Sequence, residues 1–328
     1  MNDSEAPDLN DDLQPDEWQD APLDALDEIP PGHRSGFVAV IGRPNVGKST
    51  LMNALMGQKI AIVSSRPQTT RVQQLGILTR PDAQIIFVDT PGLHKPRHEL
   101  GRFMVQVAQQ ALNDADVIMF LVEAQHMPGP GDTMIASQLQ EAAPDKPVLL
   151  IINKIDITPP DALQKHVDAY LALVKPTDWI AISALQAAGV DDLRERLINL
   201  LPEGPRYYPP DQVTDLYTRN IAAEMIREKV LRNTRDEVPH AVAVEITEFK
   251  EREDGPTYVA ATIYVERNSQ KAIIIGKGGQ MLKKIGAQAR QDIEQLIGDK
   301  VFLELWVKVL PNWRRDENLL RRLGYRIR

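Results

Sequence analysis

The sequence predicts an α/β domain, with a mostly parallel sheet and helices on both of its faces, followed by a smaller α+β domain. Three observations lead there. From Phe37 to Leu201, short β-branched apolar runs alternate with amphipathic stretches of helix length. The segment Pro202–Pro210 then reads PEGPRYYPP, and its four prolines and one glycine cannot continue a helix or a central strand. Beyond it the order of elements changes.

The strand candidates of the first domain are Phe37–Ile41, Leu75–Thr79, Ile85–Asp89, Val117–Val122, Val148–Asn153 and Trp179–Ile182. Helix patterns near Lys48–Met56, Leu100–Asn113, Asp132–Glu141, Asp161–Leu173 and Val190–Leu201 lie between them. Strands that are apolar on both faces and separated by helices are those of a parallel sheet buried on both sides. Ligands of such sheets bind at the carboxyl ends of the strands. After the linker, a helix pattern over about Asp215–Arg232 leads to strand-like runs at Ala241–Glu251 and Thr257–Val265, joined by an EDGP turn. A short apolar segment reaches Gly276, a helix follows over Gln280–Ile297, a strand over Val301–Val309, and a charged helix closes the chain. The order is α-β-β-α-α-β plus one helix. Domain bounds are expected at residues 34–203 and 204–328.

Composition narrows the function classes. Of 328 residues, 43% are hydrophobic and 26% charged, which excludes wholesale disorder and a membrane-spanning design. The apolar runs Val117–Val122 and Val148–Ile152 are far below the roughly 20 residues of a spanning helix. There are no cysteines, so disulfide scaffolds, thiolate zinc sites and cysteine nucleophiles are excluded, in keeping with a reducing, cytoplasmic setting. Residues 1–33 hold 11 acidic and no basic side chains and read as a disordered acidic tail, not a secretory signal. Residues 34–203 carry a net −1 and residues 204–328 a net +4. Within the latter, residues 267–328 have 14 basic and 6 acidic groups, which points to a polyanionic partner at the C-terminal end.

Gly42–Ser49 reads GRPNVGKS, a G-x-x-x-x-G-K-[ST] motif between a strand and a helix. The backbone of Gly42, Arg43, Pro44, Asn45, Val46, Gly47, Lys48, Ser49 and Thr50 forms a cradle whose N–H donors, at every position but Pro44, suit phosphate oxygens. Gly42 and Gly47 permit the tight path, Lys48 reaches the β and γ phosphates, and the Ser49 hydroxyl ligates Mg²⁺. Asp89-Thr90-Pro91-Gly92 ends a strand: its carboxylate suits Mg²⁺ and the Gly92 amide suits the γ phosphate. Asn153-Lys154-Ile155-Asp156 ends another. There Asp156 can accept from the N1 and N2 hydrogens of guanine, a pattern adenine does not present. Asn153 can brace the loop or meet the base, and the Lys154 stem can cover it. Ser183 and Ala184 offer backbone amides to the guanine carbonyl, although an ordinary loop explains them nearly as well. In Gln68-Thr69-Thr70-Arg71, Thr70 is favoured over Thr69 to complete the Mg²⁺ shell. Lys48, Thr70, Asp89 and Gly92 are thus the catalytic candidates, and Ser49, Thr70 and Asp89 the metal ligands.

Ile273–Gly279 contains G-x-x-G between two helices as Gly276-Lys277-Gly278-Gly279. Glycines let phosphates approach the main chain, Lys277 adds charge, and Ile273–Ile275 would line a groove for bases. Lys271, Lys283, Lys284 and Arg290 can neutralise flanking phosphates, which implies a marked salt dependence.

The three nucleotide motifs in order resemble the translation-factor-like class of GTPases. One departure stands out: Leu93 follows the Asp89–Gly92 motif where Ras-like members carry a water-positioning glutamine, so hydrolysis is expected to be slow or assisted. Asn45 is similar to the asparagine of potassium-activated GTPases, which implies K⁺ as a candidate activating ion. The α-β-β-α-α-β order around GKGG resembles a type II KH domain. Together with QTTR, DTPGLHKP, NKID, ISA and the closing VKVLPNWRRDENLLRRLGY, these features resemble the Era family of bacterial GTPases over residues 34–328. The resemblance implies a GTP/GDP switch with Mg²⁺ that binds the single-stranded 3′ end of small-subunit ribosomal RNA. It further implies work in processing that RNA and assembling the small ribosomal subunit, as a monomer with peripheral contact to the inner face of the cell membrane in some bacteria. Two alternatives stay open: an RNA-binding factor on an inactive GTPase fold, and a C-terminal module that docks protein or anionic lipid.

Overall fold

The computed structural model describes residues 29–58, 61, 74–91, 99–214, 218–252 and 255–325. The expected acidic tail, the QTTR segment with Thr70, and Gly92, Leu93 and His94 lie outside the described residues.

The first domain is built on a six-stranded sheet: β1 (Arg34–Gly42), β2 (Gln74–Thr79), β3 (Ala83–Asp89), β4 (Val117–Glu123), β5 (Val148–Asn153) and β6 (Asp178–Ile182). Its order is β2-β3-β1-β4-β5-β6, with only the β2–β3 pair antiparallel. The short link from β2 to β3, Arg80 to Asp82, is a hairpin turn and forces that reversal. The helices are α1 (Lys48–Met56), α2 (Glu99–Asp114), α3 (Pro130–Ala142), α4 (Pro160–Val174) and α5 (Val190–Leu200). Along β1 the alternating side chains feed two cores. Val38 and Val40 join Leu51, Met52 and Leu197 on one face, while Ala39 and Ile41 join Phe120, Ile135 and Tyr170 on the other. Strands buried on both faces leave only their carboxyl ends for chemistry.

The proline-rich linker is not a free tether. Ser35 N donates to Pro202 O at 3.1 Å, Ser35 Oγ to Pro205 O at 2.5 Å, and Gln84 Oε1 accepts from the amides of Tyr207 and Tyr208. A proline lacks a donor but keeps its carbonyl, so the segment can still be bound along a domain edge.

The second domain holds α6 (Thr218–Asn233), α7 (Val238–Ala241), β7 (Ala243–Lys250), β8 (Thr257–Val265), α8 (Asn268–Ile275), α9 (Gln280–Ile297), β9 (Val301–Val309) and α10 (Glu317–Arg322). Its sheet is β7-β8-β9, antiparallel then parallel. The parallel pair follows from the crossover through α8 and α9. The two domains meet in one apolar cluster. Leu100, Phe103, Met104 and Val107 of α2 pack with Ala243, Tyr264, Trp313, Leu320 and Tyr325. No helix among the described residues is long and apolar enough to cross a membrane.

Candidate nucleotide and nucleic-acid sites

The carboxyl ends of β1, β3, β4, β5 and β6 bring together Gly42, Asp89, Glu123, Asn153 and Ile182. The loop after β1 is anchored by the fully buried Val46 and runs directly into α1. Lys48 opens that helix. Its Nζ lies across the loop and donates to Gly42 O and Arg43 O, each at 3.0 Å. Burial pushes the Lys48 ammonium down to about 8, and the nearby Asp89 carboxylate opposes that shift. Asp89 is itself buried, at 1% exposure. Thr90 donates its hydroxyl to Val40 O at 2.8 Å, so it ties this loop to β1.

The base end is organised by Asn153. Its Nδ2 donates to Val46 O at 2.9 Å and its Oδ1 accepts from Ala184 N at 2.9 Å, so one amide joins three loops. The Ser183 amide donates to Ala188 O at 3.0 Å. Both amides expected to meet a guanine carbonyl therefore already bond within the protein, and they brace the pocket. Lys154 sits at φ +69, which turns the chain so that Asp156 follows in a 3-10 turn. Its ammonium donates to Asn45 O at 2.9 Å and pairs with Glu123, which ties the NKID turn to the phosphate loop. Asp156 Oδ1 is buried and finds no hydrogen-bond partner among the described residues. A half-buried carboxylate with an unmatched acceptor is what a guanine edge would satisfy.

Ser49, in the first turn of α1, and Asp89, at the end of β3, supply a hydroxyl and a buried carboxylate, a hard-oxygen set that fits Mg²⁺. Thr70, the third expected ligand, and Gly92 lie outside the described residues. Arg43 turns away from the phosphate cradle and donates its Nε to Asp132 Oδ1 at 2.7 Å, a partner the sequence did not reveal. Asn45, at φ +68, is exposed at the rim of the loop.

In the second domain, Gly276–Gly279 forms the turn between α8 and α9. Gly278 and Gly279 adopt φ +57 and +78 with open space where side chains would stand. Beside them lies a groove of about 500 Å³ lined by Gly279, Leu282, Lys283, Gly286, Ala287, Arg290, Leu303 and Leu305. Its apolar wall thus comes from α9 and β9. Of the expected Ile273–Ile275 wall, Ile274 is fully buried, Ile275 packs against the core and Ile273 is half exposed. Lys283 lines the groove; Lys271, Lys277 and Lys284 are not among its lining residues. Leu303 and Leu305 were missed. Their alternation with Phe302, Glu304 and Trp306 along β9 was the available signal.

A phosphate-cradle loop, an NKID turn and a mixed-sheet G-x-x-G module on one chain define a GTPase joined to a KH domain. The family described as 50S ribosome-binding GTPase matches residues 37–154, and the KH domain family matches residues 237–314. GTPase Era of Ruminiclostridium cellulolyticum is 52% identical over 294 residues, covering 90% of this chain and 98% of its own. GTPase Era of Lacticaseibacillus paracasei is 55% identical over 293 residues, covering 89% and 97%. The chain belongs to the GTPase Era family. Among solved structures, a point variant of Aquifex aeolicus Era bound to GDP.AlF4⁻ superposes with a TM-score of 0.84 at 42% identity, over 90% of this chain and 100% of its own. Era in complex with MgGDPNP and nucleotides 1506–1542 of 16S ribosomal RNA gives 0.85 at 43%, over the same shares.

Proposed function

We propose that this chain is a Mg²⁺-dependent GTP-hydrolysing switch that binds the 3′ end of small-subunit ribosomal RNA and acts in its processing and in small-subunit assembly. The observation that carries the reading is the similarity, over both domains, to an Era structure solved with MgGDPNP and 16S ribosomal RNA. The groove beside Gly279 supports it. Its Lys283 and Arg290 suit phosphates, and its Leu282, Leu303 and Leu305 suit unstacked bases.

In the nucleotide site, Lys48 would exchange its loop carbonyls for β and γ phosphate oxygens, and Asp156 would accept from the guanine edge. Ser49 and Asp89 would hold Mg²⁺, which neutralises charge on the phosphates when bound. Asn45, at the exposed rim, would take K⁺ as the activating ion; equal turnover in sodium and potassium buffers would remove that role. The α2 face packs on Trp313 and Tyr325, and α2 begins at Glu99, close after the Asp89–Gly92 motif. That contact gives nucleotide-dependent changes a route to the RNA groove. A cytoplasmic protein with peripheral membrane contact is consistent with this scheme, and cell fractionation tests it.

The test is binding of a single-stranded 3′-end RNA to the full chain loaded with GDP or with a non-hydrolysable GTP analogue. A difference in affinity is expected. Equal affinity would sink the switch, preference for anionic vesicles over RNA would favour lipid docking, and phosphate release no greater than that of Lys48→Ala would favour an inactive fold.

A further inference from the structure

One chain of alternating charges, Asp132–Arg43–Glu123–Lys154, runs from the first turn of α3 to the phosphate loop. It starts at Asp132, whose side chain is 0% exposed. Its Oδ2 accepts from Gly129 N at 2.9 Å, and its Oδ1 accepts from Arg43 Nε at 2.7 Å. Tyr170 Oη lies 3.5 Å away. Arg43 Nη2 also stands 3.8 Å from Glu123 Oε2, an ion pair but too long for a hydrogen bond. Glu123 in turn pairs with Lys154, whose ammonium donates to Asn45 O in the phosphate loop.

Arg43 therefore lies within reach of two carboxylates and is hydrogen-bonded to one. A helix cap needs only the Gly129 contact, and an uncharged side chain would serve it. The buried charge at Asp132 is explained by Arg43. Its stem is held close to the first turn of α3, where a Cβ on Gly131 would come within 2.7 Å of Arg43 Cδ.

We propose that Asp132 is a positioning residue for guanine-nucleotide binding. By holding Arg43, it leaves the Glu123 carboxylate to Lys154, and so keeps the Lys154 stem over the base and its ammonium on the Asn45 carbonyl. The inference rests on the nucleotide reading above. Without the Asp132 charge, Arg43 turns to Glu123 as its nearest anion and competes with Lys154 for it.

The test is a double-mutant cycle on the full chain, reading the dissociation rate of a fluorescent GDP, with urea midpoints to confirm folding. Asp132→Asn is expected to speed dissociation about tenfold, and Glu123→Gln by a similar factor. The double variant should match Glu123→Gln alone, because the competition it relieves no longer exists. The kcat at saturating GTP should change less than about twofold in Asp132→Asn while KM rises. Effects that multiply to about a hundredfold in the double variant, or an unchanged rate in Asp132→Asn, would overturn the proposal. Gly131→Ala pushes the Arg43 stem off without emptying a buried charge. It should speed dissociation about threefold in the native background and not in Glu123→Gln, and the opposite pattern overturns the proposal. If the unsubstituted chain held fluorescent ADP as tightly as GDP, the guanine reading itself would fall, and the cycle would still report separately on Arg43.

Discussion

The side-chain amide of Asn153 occupies the space that a Cβ on Gly47 would need, and from there it donates to Val46 O at 2.9 Å. The phosphate loop and the NKID loop are therefore one mechanical unit, closed by contact between a residue that must be small and one that must carry an amide. Gly47 also adopts φ +106, where a side chain is strained. Gly47→Ala should leave the fold intact, since both cores lie below the loop, yet weaken GTP binding by about a hundredfold. Titration calorimetry beside a urea melt checks both halves.

Asp156 accepts and cannot donate. An amide there would meet a guanine N2 hydrogen with its own N–H, but it would suit a carbonyl at that position. Asp156→Asn should weaken GTP by roughly a thousandfold and bring xanthosine triphosphate into the affinity range that GTP loses. Competition between the two triphosphates reads it directly.

Lys48 is an ammonium at 7% exposure, and burial lowers its proton affinity to about 8, so desolvation works against its charge in the fold. Lys48→Met should therefore raise the stability of the nucleotide-free chain by about 1–3 kcal/mol while abolishing phosphate release. A loss of stability would show instead that the bonds to Gly42 O and Arg43 O outweigh the desolvation.

Lys283 lines the groove proposed for RNA and Lys284, its neighbour, does not. Each phosphate neutralised on a single strand contributes about 0.7 to the slope of log affinity against log salt. Lys283→Ala should lower that slope by about 0.7, with a smaller effect from Lys284→Ala and GTP hydrolysis unchanged in both. Equal slopes for the two variants would move the RNA path off the groove.

Trp313 is fully buried between the domains and donates Nε1 to Ala241 O at 2.9 Å. Trp313→Ala should cost about 3–5 kcal/mol by leaving a large cavity. Phe103 contributes the opposite side, its ring 6.1 Å from Tyr325 in an edge-on arrangement. Phe103→Ala removes that contact without opening the second core. RNA affinity with GDP and with a GTP analogue should then converge, measured by fluorescence anisotropy.

Local structure was legible to the residue where it depends on neighbours in sequence. Helix α1 runs from Lys48 to Met56 as expected, closed by Gly57, and α9 and β9 match their expected bounds end to end. Glycine stops a helix and alternation marks a strand by rules that reach only a few residues. Of the residues expected at the nucleotide site, Lys48, Asp89 and Asn153 stand at or just beyond the carboxyl ends of β1, β3 and β5, where topology makes the loops converge.

Contacts between distant segments were not legible. The linker's prolines signalled a break, while its attachment to Ser35 and Gln84 needed the folded edge to accept it. Asp132 read only as the polar start of a helix; that it holds Arg43 depends on the end of β1 lying beside the start of α3. The Phe103–Tyr325 interface joins the two domains through residues that nothing local sets apart from ordinary core positions. What this sequence determined alone was which backbone turns and charged groups exist; what only the tertiary structure decided was which of them meet. The reason is physical: propensity acts within a turn, whereas a buried charge or ring is satisfied by whatever the packed chain brings within a few ångströms.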